Sequence, residues 1–161
     1  MMELIEISSD EFFNFAKDVQ NTFQISLRDK TDENVITIDE IFKSLENKNA
    51  KNFYVYDNGV KIGGICLLID ENTQHNNLDL FYILEEFHNK GYGFKTWQMV
   101  EKTFPKTKVW TTTTPYFEIR NIHFYVNKCG FKIVKLSNLS DKFNNIEELE
   151  WFFDFEKIMN N

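Results

Sequence analysis

The stretch His88-Asn89-Lys90-Gly91-Tyr92-Gly93 decides the fold, because it stands between a predicted buried strand and a predicted helix. Residues 78–84 are apolar enough for a central strand, and apolar residues recur every three or four positions from Phe94 to Phe104. The first N–H groups of a helix are unpaired, and glycines let the preceding loop curl until these groups converge on an anion. Lys90 and Lys95 add positive charge. The stretch therefore indicates a phosphate site, although two glycines at this spacing also suit an ordinary turn.

Two common phosphate loops do not match this stretch. The dinucleotide fingerprint needs a third glycine where Thr96 stands and an acidic residue at the end of the next strand, but residues 111–114 are all threonine. The nucleoside triphosphate loop needs Gly-Lys-Ser/Thr after a four-residue spacer, and the chain contains no such sequence. The loop therefore suits a different pyrophosphate-bearing cofactor.

The residues before this loop predict two helices and a hairpin. Residues 2–7 suit a first strand, and capping-box spacings at Ser8/Glu11 and Thr37/Glu40 predict the starts of two helices, the first of them reaching about residue 23. Residues 24–36 between them lack a period. Residues 53–57 and 60–69 are typical of strands, and Asn58-Gly59 between them suits a tight hairpin turn.

The residues after the loop predict a parallel crossover followed by a helix and two strands. The helix over residues 94–104 leads into a strand over 109–114, and strand, helix, strand implies parallel pairing. A second helix over 119–129 ends at Gly130, and residues 131–136 suit the next strand. In the last strand, over 149–155, Leu149, Trp151, Phe153 and Phe155 are expected to share one face. Residues 137–145 suit a loop.

Composition bounds the class of protein. The 161 residues are 42% hydrophobic and 16% aromatic, which suits one domain over residues 1–161 with a sizeable core. The net charge of -7 argues against nucleic-acid or membrane partners. Cys66 and Cys129 lie in apolar stretches and are expected to be buried, reduced thiols. Without a recognisable leader or membrane span, we expect a soluble, cytoplasmic protein.

These residues resemble the GNAT superfamily of acetyl-CoA-dependent N-acetyltransferases. That family carries Gln/Arg-x-x-Gly-x-Gly/Ala in the loop before its third helix, and residues 88–93 correspond to it. One helix later the family has an Asn, a Tyr and a Gly-Phe pair, which correspond here to Asn121, Tyr125, Gly130 and Phe131. The two motifs occur in the family's order, and the resemblance covers nearly the whole chain. It implies a mixed α/β (α+β) fold with a mostly antiparallel central sheet flanked by helices.

The resemblance also implies where acetyl-CoA would bind as the cosubstrate, with no metal. The central strand and the next strand would part, and the pantetheine arm would lie between them. Backbone groups of the central strand would hold the arm, and one of their N–H groups would face the thioester carbonyl. The loop would bind the pyrophosphate. One side chain of the next helix would also reach the arm. The residues concerned are Phe81, Tyr82 and Ile83 in the strand, His88, Asn89, Lys90, Gly91, Tyr92, Gly93 and Phe94 in the loop, and Asn121 in the helix.

Two residues are candidates for proton transfer. Tyr125 corresponds to the family's general acid, and Asp79 is a candidate base because acids are frequent at its place in the family. Asn121 and Tyr125 are four apart, so on a helix they share a face. Tyr125 could instead pack within the core, Asn121 could be a surface or capping residue, and Asp79 could be a solvated or salt-bridged acid. Glu85 and Glu86 are expected to face solvent, and Tyr82 and Glu33 are weaker candidates for the base.

Two residues depart from the family pattern. His88 replaces the usual Gln or Arg, and Glu85 stands where a proline is common. A neutral imidazole offers one donor and little charge, so cofactor affinity is expected to fall as the pH rises. The two cysteines and the histidines His75 and His123 show neither a nucleophile pairing nor a metal-ligand spacing.

The sequence thus predicts acetyl transfer from acetyl-CoA to a primary amine of an unidentified small molecule or peptide. The alternatives are a non-catalytic acyl-CoA-binding or regulatory domain of the same fold and, if the glycine loop is coincidental, a plain interaction module. A homodimer is compatible with the resemblance. The acidic balance is compatible with a cationic acceptor, but no motif identifies that acceptor.

Overall fold

The structure is a computed structural model that describes residues 1–26, 36–138 and 151–160. Its strands are β1 (Met2–Glu6), β2 (Ala50–Asp57), β3 (Val60–Leu68), β4 (His75–Ile83), β5 (Val109–Pro115), β6 (Lys132–Asn138) and β7 (Trp151–Ile158). Its α-helices are α1 (Phe12–Ser26), α2 (Ile38–Leu45), α3 (Tyr92–Thr103) and α4 (Ile119–His123). The strands form one sheet in the order β1-β2-β3-β4-β5-β7-β6. Among the pairs that these described strands form, only β4/β5 is parallel, as the strand-helix-strand pattern predicted.

Local signals in the first half of the chain are confirmed with one exception. The hairpin turns at Asn58 and Gly59, whose φ angles are 50° and 81°, and the Thr37 hydroxyl accepts the Glu40 N–H at 3.1 Å. The capping box at Ser8 is wrong. The Ser8 hydroxyl donates to Asp10, and a 3-10 turn over Ser9–Glu11 precedes α1. The Ser8 hydroxyl thus bonds to a side chain two residues away and makes no capping bond to a backbone N–H of the helix start.

Two apolar clusters cover the two faces of the sheet. One cluster joins α1 and α2 to the sheet and contains Phe15, Val19 and Ile41. The other lies under α3 and contains Trp97 and Trp110, whose ring centroids are 5.1 Å apart. Cys66 and Cys129 belong one to each cluster and are free thiols, as predicted. Strand β3 is buried on both sides between these clusters, which explains its almost continuous apolar sequence.

The second half of the chain departs from the predicted elements in two places. The predicted regular helix over residues 119–129 is α4 followed by a π-helical turn, Phe124–Lys128, in which the Cys129 N–H reaches the Phe124 carbonyl at 3.0 Å. In β7, Phe155 is buried, but Trp151, predicted on the same face, is 43% exposed, and Phe152 on the other face is buried. Phe152 and Phe155 point to opposite faces of the sheet, and both are buried, so β7 carries apolar side chains on both faces. Leu149 lies outside the described residues.

The irregular segments are described only in part. Of the predicted irregular segment 24–36, α1 takes residues 24–26, and residues 27–35 lie outside the description. Of the predicted loop 137–145, β6 takes residues 137 and 138, and residues 139–145 lie outside it.

Gly64 gives a test of how tightly α1 packs on the sheet. A Cβ atom at this position would lie 2.6 Å from the Tyr82 ring and 2.7 Å from the Phe15 ring. Gly64→Ala should therefore lower the free energy of unfolding by about 1–3 kcal/mol, as overpacking does. The control is Gly59→Asn, because Asn tolerates the left-handed turn and nothing lies within 4 Å of the added Cβ. Equal urea midpoints for the two variants would contradict this account.

Candidate active site

The cleft that could hold a ligand begins where β4 and β5 part. The two strands pair only from His75 to Asn77 on β4 and from Val109 to Thr111 on β5. One residue later the Thr112 hydroxyl donates to the Leu78 carbonyl at 2.9 Å and closes the inner end of the cleft. Within the described residues no strand pairs with the β5-facing edge of residues 79–83. Apart from the Ile83 carbonyl, which accepts from His88, the backbone donors and acceptors of that edge are available to an extended ligand.

The glycine loop lies at the outer end of this cleft, directly before α3. Gly91 is the N-cap of α3 with φ 79°, and its carbonyl accepts the Lys95 N–H at 3.2 Å. Asn89 is also left-handed, with φ 62°. A Cβ on Gly91 would meet nothing within 4 Å, so the space beside this backbone is open. The free N–H groups of the first turn of α3 therefore border open space, which is the geometry that an anion site requires.

The side chains of the loop are mostly engaged within the protein. The His88 Nε2 lies 2.6 Å from the Ile83 carbonyl, and since a carbonyl only accepts, Nε2 carries the proton and donates it. The Tyr92 hydroxyl donates to Asp57 at 2.7 Å, which ties the start of α3 to the end of β2. The Lys90 and Lys95 ammonium groups lie 5.8 Å and 6.0 Å from aromatic ring centroids, and Phe94 is 36% exposed. The loop thus offers a ligand its backbone and its lysines more than its histidine.

The side chains of Phe81 and Tyr82 leave the cleft edge in opposite directions. The Phe81 ring lies 6.2 Å from the Phe124 ring on the α3 side. The Tyr82 hydroxyl donates to Asp18 of α1 at 2.9 Å, and burial and the Asp18 charge raise the pKa of this phenol. Lys61 donates to the same carboxylate oxygen at 2.8 Å. Since successive side chains point to opposite faces, the cleft edge itself consists of backbone groups.

At Asp79 the regular alternation of side chains between the two faces of the sheet is interrupted in β4. Leu80 pairs with Cys66 and Leu78 with Leu67, so Asp79 is an extra residue in a β-bulge. The bulge moves Leu78 and Phe81 to the α3 cluster and Leu80 to the α1 cluster. Counting alternate residues from the sequence would place Asp79 on the face of Phe81 and Ile83, but the bulge interrupts the alternation. Asp79 lies near the buried Cys66. Burial is the main cause that raises the pKa of the Cys66 thiol, and the charge of Asp79 raises this pKa further.

Asn121 and Tyr125 both lie against the inward threonines of β5, but at different depths. The exposed Asn121 donates from Nδ2 to the Thr114 hydroxyl at 3.2 Å. Tyr125 is buried among aromatic rings, with centroids 5.6 Å away at Phe131 and 5.5 Å at Phe155.

Desolvation by burial is the main cause that raises the pKa of Tyr125, and the neighbouring Cys129 raises it further. A hydrogen bond with Thr112 lowers this pKa by a smaller amount. The phenol is therefore a protonated group at the inner end of the cleft.

A cavity of about 460 Å³ lies on the α1 side, beside the end of β4. Its wall combines polar residues of α1 with the turn after β4, including Asp18, Glu85 and Glu86. Glu85 and Glu86 are exposed, as predicted, yet they border this cavity. The apolar periodicity of α1 predicts only a core helix, so Asp18 was not among the residues predicted for the site. The weaker candidate Glu33 lies outside the described residues.

Comparison with known proteins gives these features a family. The profile of the acetyltransferase (GNAT) family matches residues 3–131, which include the cleft strands, the glycine loop and the turn at Tyr125. The chain belongs to the GNAT acetyltransferase family. The prediction from the two motifs is thereby confirmed, together with the fold class, a mixed and mostly antiparallel sheet flanked by helices.

Relatives of this GNAT chain include one curated sequence and many solved folds. The uncharacterized protein YrkN of Bacillus subtilis (strain 168) is 39% identical over 128 residues, which cover 77% of this chain and 69% of YrkN. A spermidine N-acetyltransferase from Vibrio cholerae in complex with CoA and spermine has a TM-score of 0.72 at 14% identity, covering 98% of this chain and 95% of that one. PaiA N-acetyltransferase from Thermoplasma acidophilum in complex with coenzyme A has a TM-score of 0.71 at 16% identity, covering 99% of each chain. At these identities the two structures show the fold alone.

The described part of this GNAT chain shows neither a membrane-spanning helix nor a metal-type cluster. None of its helices is both long and apolar enough to cross a bilayer. Across residues 1–26, 36–138 and 151–160, His, Cys, Asp and Glu form no group of three or more that could hold a metal ion.

The burial of Tyr125 predicts how stability responds to alkaline pH. An exposed phenol in the unfolded chain loses its proton above about pH 10, whereas the raised pKa keeps the folded phenol protonated. The folded state then binds more protons, so the free energy of unfolding falls as the pH rises past 10. Tyr125→Phe should remove up to about 1.4 kcal/mol per pH unit of that fall. Chemical denaturation from pH 8 to 11 measures it, and parallel curves for parent and variant would contradict the buried assignment.

Proposed function

We propose that this protein is an N-acetyltransferase that moves the acetyl group of acetyl-CoA directly to a primary amine. The observation that carries the proposal is the parting of β4 from β5 after three paired residues, with a glycine loop and helix start at the outer end of the gap. A strand edge with free backbone groups suits the amides of a pantetheine arm, and a helix start suits a pyrophosphate. Acetyl-CoA contains both parts in one molecule.

Different groups of the described residues would bind different parts of the cofactor. Backbone groups of Phe81, Tyr82 and Ile83 would pair with the pantetheine arm, since the side chains of Phe81 and Tyr82 are engaged elsewhere. Ile83 would contribute its N–H, because its carbonyl already accepts from His88. Backbone groups of residues 88–94 would hold the pyrophosphate, with Lys90 and Lys95 adding charge. Asn121, which already touches Thr114 of β5, would reach the arm from the opposite side of the cleft.

The reaction follows from what the cleft offers to a thioester. An uncharged amine attacks the acetyl carbon, the C–N bond forms, and the C–S bond breaks to release the thiolate. An N–H near Phe81 would stabilise the negative charge that develops on the carbonyl oxygen. Tyr125, kept protonated by its burial, would give its proton to the leaving sulfur, and Asp79 would take a proton from the amine, directly or through water. These roles for Tyr125 and Asp79 are proposals.

The acceptor that fits best is a cationic amine. Asp18, Glu85 and Glu86 border the cavity at the end of β4, and although Asp18 is already paired with Lys61, Glu85 and Glu86 are exposed and add negative charge there. An amine with a reference pKa near ~10 arrives protonated at neutral pH, so negative charge favours its approach and a base must then remove a proton. A reducing, cytoplasmic location suits both this substrate and the buried free thiols Cys66 and Cys129.

One observation favours the alternative of a non-catalytic acyl-CoA-binding domain. The Tyr125 ring is packed among Phe124, Phe131 and Phe155, and the side chain is only 9% exposed. A phenol held in that way could serve packing alone. Binding of acetyl-CoA is common to both functions, whereas amine-dependent release of the thiol belongs only to the enzyme.

Calorimetric titration with acetyl-CoA, coenzyme A and a nicotinamide dinucleotide tests the cofactor. We expect micromolar binding of both coenzyme A forms and none of the dinucleotide. Gly91→Val should weaken that binding at least tenfold, because the new side chain strains the left-handed backbone and fills the space where the phosphates would lie. Gly59→Val is the matched control, since Gly59 has a φ of 81° and equally open surroundings in the hairpin turn. Equal affinities of the two variants would show that the phosphate loop is misassigned.

Amine-dependent thiol release tests the proton-transfer roles. Tyr125→Phe keeps the ring contacts and removes the hydroxyl, so it should lower kcat roughly 10- to 100-fold with little change in acetyl-CoA affinity. Asp79→Asn should shift or abolish the acidic limb of the pH–rate profile. Unchanged turnover in Tyr125→Phe would assign this residue to packing, and an unchanged profile in Asp79→Asn would remove Asp79 from the mechanism. If no amine supports thiol release by the parent, the non-catalytic alternative stands.

A further inference from the structure

Arg120 lies beside the glycine loop although it belongs to a different element. It is in α4, and its Nη2 donates to the Asn89 side-chain oxygen at 3.0 Å across 31 residues of sequence. Asn89 has a left-handed backbone within the loop, two residues before the N-cap of α3. The contact therefore brings a permanent cation to the place where the loop turns into the helix.

The guanidinium of Arg120 retains most of its hydrogen-bonding capacity. A guanidinium has five N–H donors, and within the described ranges of the chain Asn89 is its only hydrogen-bond partner and no carboxylate pairs with it. The residue is exposed, so its donors face solvent. In a chain of net charge -7, an arginine held by a neutral amide and not by an acid remains available to an external anion.

The loop itself lacks a comparable donor. His88 stands at the first position of the glycine motif, where Gln or Arg is usual, and its Nε2 hydrogen is already used on the Ile83 carbonyl. Lys90 and Lys95 lie near aromatic ring faces and act as point charges. Only Arg120 offers the planar, two-pronged donor geometry that matches a phosphate group among the described residues at this loop.

We infer that Arg120 binds a phosphate group of the cofactor, and that Asn89 is the residue that positions its guanidinium. The inference rests on the proposed function, since it places this contact in the same coenzyme A site. The cation that the loop lacks at position 88 is thus supplied from α4. The anion is either the pyrophosphate or the 3′-phosphate of coenzyme A, which share the same chemistry of recognition.

Titration of the parent and four variants with coenzyme A and with 3′-dephospho-coenzyme A tests this inference. Arg120→Gln should weaken the binding of coenzyme A about tenfold, as loss of a charge-assisted hydrogen bond does at an exposed site. Lys132→Gln, on exposed β6, removes the same charge elsewhere and should change the affinity less than twofold. Asn89→Gly keeps the left-handed backbone and removes only the tether, so it should weaken binding less than Arg120→Gln does. Combining Asn89→Gly with Arg120→Gln should add nothing further, because the tether acts only through the arginine.

The two ligands separate the two phosphates. If Arg120 contacts the 3′-phosphate, Arg120→Gln should bind both ligands equally, at the affinity of the parent for the dephospho form. If it contacts the pyrophosphate, Arg120→Gln should lose the same factor on both ligands. An Arg120→Gln affinity no lower than that of Lys132→Gln would overturn the inference and leave the cofactor site intact. Failure of the parent to bind any coenzyme A form would overturn the proposed function, and this inference with it.

Discussion

The arrangement of the whole molecule depends on how briefly β4 and β5 are hydrogen-bonded. Their ladder covers three residue pairs and ends at the bond from the Thr112 hydroxyl to the Leu78 carbonyl. Had the ladder continued, the backbone of residues 79–83 would be satisfied within the sheet and would have nothing to offer a ligand. Because it stops, the edge of a central strand is left without a partner strand among the described residues. A site built in this way is more firmly held than one on a surface loop.

Side-chain contacts fix the point at which the two strands part. The four threonines of β5 bind different partners: Thr111 and Thr112 reach β4, Thr113 reaches β7, and Thr114 accepts from Asn121. On the other side, Tyr82 is anchored to α1 through Asp18, and Phe81 packs toward Phe124. Successive residues of a strand point to opposite faces, and the bulge at Asp79 sets which of these two residues faces which cluster. The cleft is therefore maintained by both core clusters, one on each face of the sheet.

Negative and positive side chains are concentrated at two different places around the cleft. The chain is acidic overall, and the cavity beside the end of β4 has carboxylates on its wall. The loop before α3 instead gathers a helix start, two lysines and Arg120. An anionic cofactor and a cationic amine would then approach from regions of opposite potential, which keeps either from occupying the place of the other.

Much of this could be predicted from local sequence signals, which depend on neighbours along the chain. The hairpin at Asn58-Gly59, the cap at Thr37, the glycine loop before a helix and the parallel crossover were all predicted and found, because turn dihedrals, capping and periodicity act over a few residues. The two motifs also identified the family. Local patterns did not reveal the bulge at Asp79, the π-helical turn at Phe124–Lys128 or the competing bond at Ser8.

Tertiary structure alone decided how deeply Tyr125 is buried, that His88 binds the Ile83 carbonyl, and that Arg120 meets Asn89 from 31 residues away. Each of these depends on which surfaces the packed sheet and helices bring together. The spacing of residues along the sequence does not determine which of these surfaces come into contact.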